Sequence, residues 1–167
     1  DGFVQDSHAI PWTPFGVYHP LRRAISIAYG KGSAACVISS PNFPDEYQQG
    51  MASAVLLRKC FVSISRHKAD GAYFKAGGRL DVLSSPSDIF RPVDIAFGFD
   101  GAMYVSDFCT RIIGHAQNSM RDPRWDPQTG RIWRVVHKGK PVVRDWPRIE
   151  GAGTVQLLEL LKHPQDL

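Results

Sequence analysis

The chain has 167 residues, with 20 Lys+Arg against 16 Asp+Glu and a net charge of +4. Its 43% hydrophobic and 22% charged residues are ordinary globular material, which excludes a disordered tail. No run of about 18 apolar residues is present to form a transmembrane helix, and no basic segment followed by an apolar run marks a signal peptide.

Residues 1–33 read as loop, with Pro11, Pro14, Pro20, Gly16, Gly30 and Gly32 among the aromatics Trp12, Phe15, Tyr18 and Tyr29. Ala34–Ser39 is a strand candidate, and Pro41 to Glu46 is a turn. Ala52–Leu57 and Cys60–Ser65 are apolar runs separated by Arg58-Lys59, which predicts a hairpin. Asp70-Gly71 is a further turn, followed by a short strand at Ala72–Lys75. Gly77-Gly78 then leads into a separate segment, Arg79–Leu83. The clearest hairpin pairs Pro92–Phe97 with Ala102–Ser106. Val93, Ile95 and Phe97 share one face with Met103 and Val105, and Asp100-Gly101 lies in the turn. Residues 107–130 form a long polar loop. Arg131–Val136 is a strand, and Gly139–Val143 predicts one more turn and strand. Val155, Leu157, Leu158, Leu160 and Leu161 have helical spacing, with Thr154 as cap and Pro164 as stop.

Short strands at about four per 40–50 residues are the period of propeller blades. The β part spans about 145 residues, enough for roughly three blades. A closed ring needs at least four, so a partial propeller is expected. The start at Asp1 rather than Met agrees with a processed chain or a piece of a longer one. A small β-sandwich is the alternative that needs no further blades.

The three cysteines, Cys36, Cys60 and Cys109, form no C-x-x-C pair, so zinc ribbons, thioredoxin-like sites and c-type haem attachment are excluded within this chain. Cys36 and Cys60 read as small buried hydrophobes. Arg111–Arg148 carries nine basic residues against Asp122, Asp126 and Asp145, a surplus of +6. That field suits an anionic ligand, cofactor or acidic partner, or is a solvated basic face. No nucleic-acid module is present.

Within the long loop, Asp107, His115, Arg121, Asp122, Arg124 and Asp126 are candidate ligand-facing groups. The Arg–Asp neighbours equally suit holding the loop down. His115 is a candidate general base, because an imidazole titrates near neutral pH, or a hydrogen-bonded structural residue. Asp107 ends a strand, where an Asp ordinarily accepts N–H bonds from the following turn. No calcium-loop spacing occurs, and no metal ligand is assigned. Arg91 at a strand start, and Arg58-Lys59 in the earlier turn, are candidates to hold a carboxylate.

The run Phe90-Arg91-Pro92-Val93-Asp94-Ile95-Ala96-Phe97-Gly98-Phe99-Asp100-Gly101-Ala102-Met103-Tyr104-Val105-Ser106-Asp107 resembles a signature of the glucose/sorbosone dehydrogenase family. Ile112 to Gln117, Arg121-Asp122-Pro123, Asp126 and Gly130 to Val135 are similar to the large membrane-bound dehydrogenase-like proteins of planctomycete-type bacteria. Ser40 to Tyr47 and Ser65 to Lys68 fit the same group, and the resemblance covers about residues 20–163.

The resemblance implies an all-β fold, the last ~3 blades of a six-bladed β-propeller over 1–146. Residues 147–167 would be a linker and the first helix of a HEAT-like region. Relatives bind pyrroloquinoline quinone (PQQ) and calcium, oxidise sugars at the anomeric carbon and pass electrons to an acceptor such as a cytochrome domain. No haem is implied in this chain. Such proteins are exported, so a periplasmic or cell-envelope location is expected.

By the same resemblance Arg91 matches the first of two cofactor arginines, and Val93 stands where the second would be. One charge-assisted contact, worth ~1.5–3 kcal/mol, is thereby lost. Lys59 is the nearest match to a cofactor lysine. The family's general-base histidine falls in an earlier blade, and His115 does not match it. The expectation is part of a PQQ-dependent sugar dehydrogenase; the alternative is a non-catalytic propeller that binds glycans or partner proteins.

Overall fold

The computed structural model describes residues 32–57, 59–113, 118–119, 121–145 and 147–163. Seven strands and a short helix follow one another as β1 (Gly32–Val37), β2 (Met51–Val55), β3 (Phe61–Asp70), β4 (Tyr73–Ser84), β5 (Pro92–Phe97), β6 (Met103–Asp107), β7 (Arg131–Val135) and α1 (Thr154–Leu160). They form two antiparallel meanders, β1-β2-β3-β4 and β5-β6-β7. The fold is therefore all-β with one short helix. The sequence period predicts about three blades, and the described residues hold two sheets.

The β5–β6 hairpin forms where alternation and the Asp-Gly turn place it. Ile95, Met103 and Val105 are buried, while Asp94 and Ala96 face outward. Gly101 sits in the turn at φ +77°, a backbone conformation that favours glycine. Ile95, Met103 and Val105 meet Ala52, Ala54, Val62 and Ile64 of the first sheet, and Ile38 and Phe43 of its β1–β2 connection, in one apolar core. β1 and β2 lie against β5, and Phe43 meets Phe97 edge-to-face at 5.5 Å.

A polar clamp joins the sheets at the motif Ser40-Pro41-Asn42. Ser40 Oγ donates to the Gly101 carbonyl. The fully buried Asn42 donates through Nδ2 to the Lys140 carbonyl at 2.9 Å and accepts the His137 N–H at 2.9 Å. A side chain thus takes up backbone groups that a strand would pair, and no strand forms at 139–143, in contrast to the sequence reading.

Three more expectations are corrected. Residues 73–75 and 79–83 belong to one strand, β4, because Gly77-Gly78 makes a bulge opposite Arg66 instead of a break, and residue 72 stays in the turn. Gly78 has φ +113°, and a Cβ on Gly77 would lie 3.2 Å from the Arg66 Cβ. Thr154 is the first residue of α1, not its cap; Gly153 caps, and its N–H donates to Gln156 Oε1 at 3.0 Å. Cys36 and Cys60 are half-buried, and Cys109 is the buried cysteine. No helix among the described residues is long and apolar enough to cross a membrane.

Candidate functional site

Three connections meet at one end of the two sheets: the β2–β3 turn, the β4–β5 segment and the turn after β6. They line an open cavity of about 520 Å³ whose walls include Lys59, Cys60, Ser87, Asp88, Arg91 and Arg111. Arg91 and Lys59, both singled out by sequence, therefore share one cavity. Lys59 is exposed and has no ion pair among the described residues. Arg111 Nε lies 3.3 Å from Asp88 Oδ2, an exposed pair of small energetic weight.

Arg91 is half-buried and tightly engaged. Nη1–H donors reach the Phe90 carbonyl at 2.8 Å and Cys60 Sγ at 3.2 Å, and Nη2–H reaches the Arg111 carbonyl at 3.1 Å. A guanidinium has five N–H donors. The Nε–H is buried and has no hydrogen-bond partner. Leaving such a donor unmet costs about 1–3 kcal/mol, more for a charged group, so the atom calls for an acceptor.

Asp107, at the end of β6, stands behind Arg91 and is buried. Its Oδ1 accepts the N–H groups of Arg91 (2.8 Å) and Cys109 (3.1 Å), and its Oδ2 accepts Trp133 Nε1–H at 3.0 Å. Burial opposes the charge, but the Arg91, Trp133 and Cys109 donors together outweigh it and hold the carboxyl below its ordinary range. Burial, aided by the adjacent Asp107 carboxylate, pushes the Cys109 thiol up.

Among the described residues of the long loop, those after Arg111 do not line the cavity. Arg124 grips Asp122 through Nε (3.0 Å) and Nη2 (2.7 Å), which holds the half-buried Asp122 carboxyl down to about 2. Asp126 accepts the N–H groups of Gln128 and Thr129 and the Thr129 hydroxyl. Arg121 is exposed, and its backbone N–H donates to Ser119 Oγ at 3.2 Å. His115 and Arg58 lie outside the described residues.

Sequence reasoning missed Arg111, Asp88 and the cavity-lining place of Cys60. The available signal for Arg111 was its position four residues after Asp107, in the turn that Asp107 organises. Among the described residues no group of three His, Cys, Asp or Glu side chains gathers as a metal site.

A family model described as "Domain of unknown function (DUF7133)" matches residues 15–139, most of the chain. No curated protein and no solved structure matches it.

Proposed function

The chain belongs to the DUF7133 family, and for this member we propose a role in an exported, PQQ-dependent sugar dehydrogenase. Its two sheets are neighbouring blades of that enzyme's propeller. The observation that carries the proposal is the meeting of Arg91 and Lys59, with Arg111, at the wall of one cavity. The residues fit a carboxylate-bearing cofactor: Arg91 and Lys59 bring two cations to the cavity wall, and Lys59 has no ion pair among the described residues. Arg111 adds a third, once its exposed pairing with Asp88 is exchanged for the ligand.

When bound, the quinone supplies a two-electron acceptor for oxidation at the anomeric carbon of an aldose. This chain's residues hold and orient it, while the proton-abstracting base lies outside the residues assigned here. Periplasmic or cell-envelope location, and transfer of electrons to a cytochrome-type acceptor, belong to the same proposal. A second reading, a non-catalytic propeller for glycans or partner proteins, is favoured by Val93. It is half-buried and brings no charge to the position of the second cofactor arginine.

The test is dye reduction by the intact protein loaded with the quinone and calcium, across a panel of aldoses. The expected result is quinone-dependent turnover that disappears in Arg91→Ala and weakens in Lys59→Ala. Folded, quinone-loaded protein that leaves the dye unreduced with every aldose would move the site to the non-catalytic reading.

A further inference from the structure

We infer that Asp107 is the positioning residue of the cavity: one buried carboxylate oxygen fixes both chain segments that bring Arg91 and Arg111 to it. The inference rests on the cavity reading above, but it concerns geometry that ligand-free protein reports.

The two oxygens of Asp107 do different work. Oδ1 accepts the Arg91 N–H just before β5 and the Cys109 N–H in the turn after β6, two residues ahead of Arg111. Cys109 is held at φ +52°, a left-handed conformation uncommon for a residue with a Cβ. The two segments are then tied to each other. Phe108 N–H donates to the Arg91 carbonyl at 2.9 Å, and Arg91 Nη2–H donates to the Arg111 carbonyl at 3.1 Å. The position of one guanidinium and the path of the backbone that carries the other therefore share one origin. Oδ2 points elsewhere, to Trp133 of β7.

This division makes the role separable from plain stabilisation. Asn at 107 keeps one acceptor oxygen but turns an amide donor toward the indole N–H of Trp133, a donor facing a donor. Relief of that conflict by twisting the side chain breaks the Oδ1 contacts. Trp133→Phe removes the Oδ2 bond, keeps an aromatic ring against Phe90 and leaves the Oδ1 contacts in place.

The experiment measures solvent exchange of the Arg91 Nε–H by ¹⁵N NMR in the intact, ligand-free protein, with the resonance assigned through Arg91→Lys. Wild type should exchange slowly, as its burial requires. Asp107→Asn should accelerate exchange by roughly tenfold or more, the order expected for losing a hydrogen bond that fixes a charged group. Trp133→Phe should lower the melting temperature with Arg91 exchange unchanged within about twofold. The double variant Asp107→Asn/Trp133→Phe should recover slow exchange.

Folded Asp107→Asn with unchanged Arg91 exchange overturns the inference, as does Trp133→Phe that accelerates it equally. Fast exchange in wild type, or in a folded double variant, also overturns it. Should neither Asn variant fold, Trp133→Phe decides alone. Failure of quinone binding would remove the proposed function and leave these results intact.

Discussion

Asp107 shows how far a single residue can be read in advance. Its place at a strand end marks it as an acceptor for N–H groups of the following turn, and one of its three donors, the Cys109 N–H, is such a group; a second, the Arg91 N–H, comes from just before β5. The third, Trp133, arrives from 26 positions later through the β6–β7 pairing, which no local pattern contains. Arg111 was hidden for a related reason, since its weight in the cavity comes from where the Asp107 turn carries it. The depressed carboxyl of Asp107 has a consequence for acid stability. Its folded pKa lies below the ordinary value of about 3.9, so the folded state binds fewer protons than the unfolded state between the two. The stabilisation is present above that ordinary value and is lost as pH falls through the folded pKa. Thermal melts from pH 7 to pH 2 should be flat down to about pH 5 and should fall below about pH 4. Asp107→Asn should melt lower at pH 7 and lose less on acidification. A variant whose acid slope equals that of wild type would remove Asp107 from this account.

Elements were legible where the local signals agreed. In β5–β6 the alternation and the turn chemistry point the same way, and the hairpin forms in register with Ile95 opposite Val105. They failed where a side chain from elsewhere intervened. Gly77-Gly78 looks like a break, yet the bulge opposite Arg66 absorbs both glycines, and Arg66 itself pairs with Glu46 at 2.6 Å. The stretch 139–143 looks like a strand, yet Asn42 occupies its carbonyls. β7 makes the role of its faces testable. Ile132 is 73% exposed, while its neighbour Trp133 turns inward to meet Phe90 edge-to-face. Ile132→Thr should change the free energy of unfolding by less than about 0.5 kcal/mol. Met103→Ala, which empties a fully buried position, should cost about 2–5 kcal/mol. Urea denaturation of both variants checks the assignment, and comparable losses would contradict it.

At the scale of the whole molecule, the basic surplus of 111–148 is partly neutralised by acids from other elements. Arg134 pairs with Asp100, Lys140 with Asp45 and Arg111 with Asp88. Arg121, Lys138, Arg144 and Arg148 carry no ion pair among the described residues. Sequence charge alone exposed the surplus but not its partners, because those pairs join residues far apart in the chain. The clamp at Asn42 is the other long-range feature. Asn42→Ala would strand the His137 N–H and the Lys140 carbonyl, at about 1–3 kcal/mol for each group left buried and unmet. It should loosen 137–141 from the first sheet, seen as a lower urea midpoint and faster proteolysis there. An unchanged midpoint would show that the core alone holds the sheets together.

The central claim is that Arg91 and Lys59 form a carboxylate-binding cavity between the sheets. Calorimetric titration of PQQ, with calcium present, into the intact protein tests it most directly. The account predicts saturable binding that Arg91→Ala abolishes and Lys59→Ala weakens. Folded wild-type protein that takes up no quinone, or binding that survives Arg91→Ala unchanged, would contradict it.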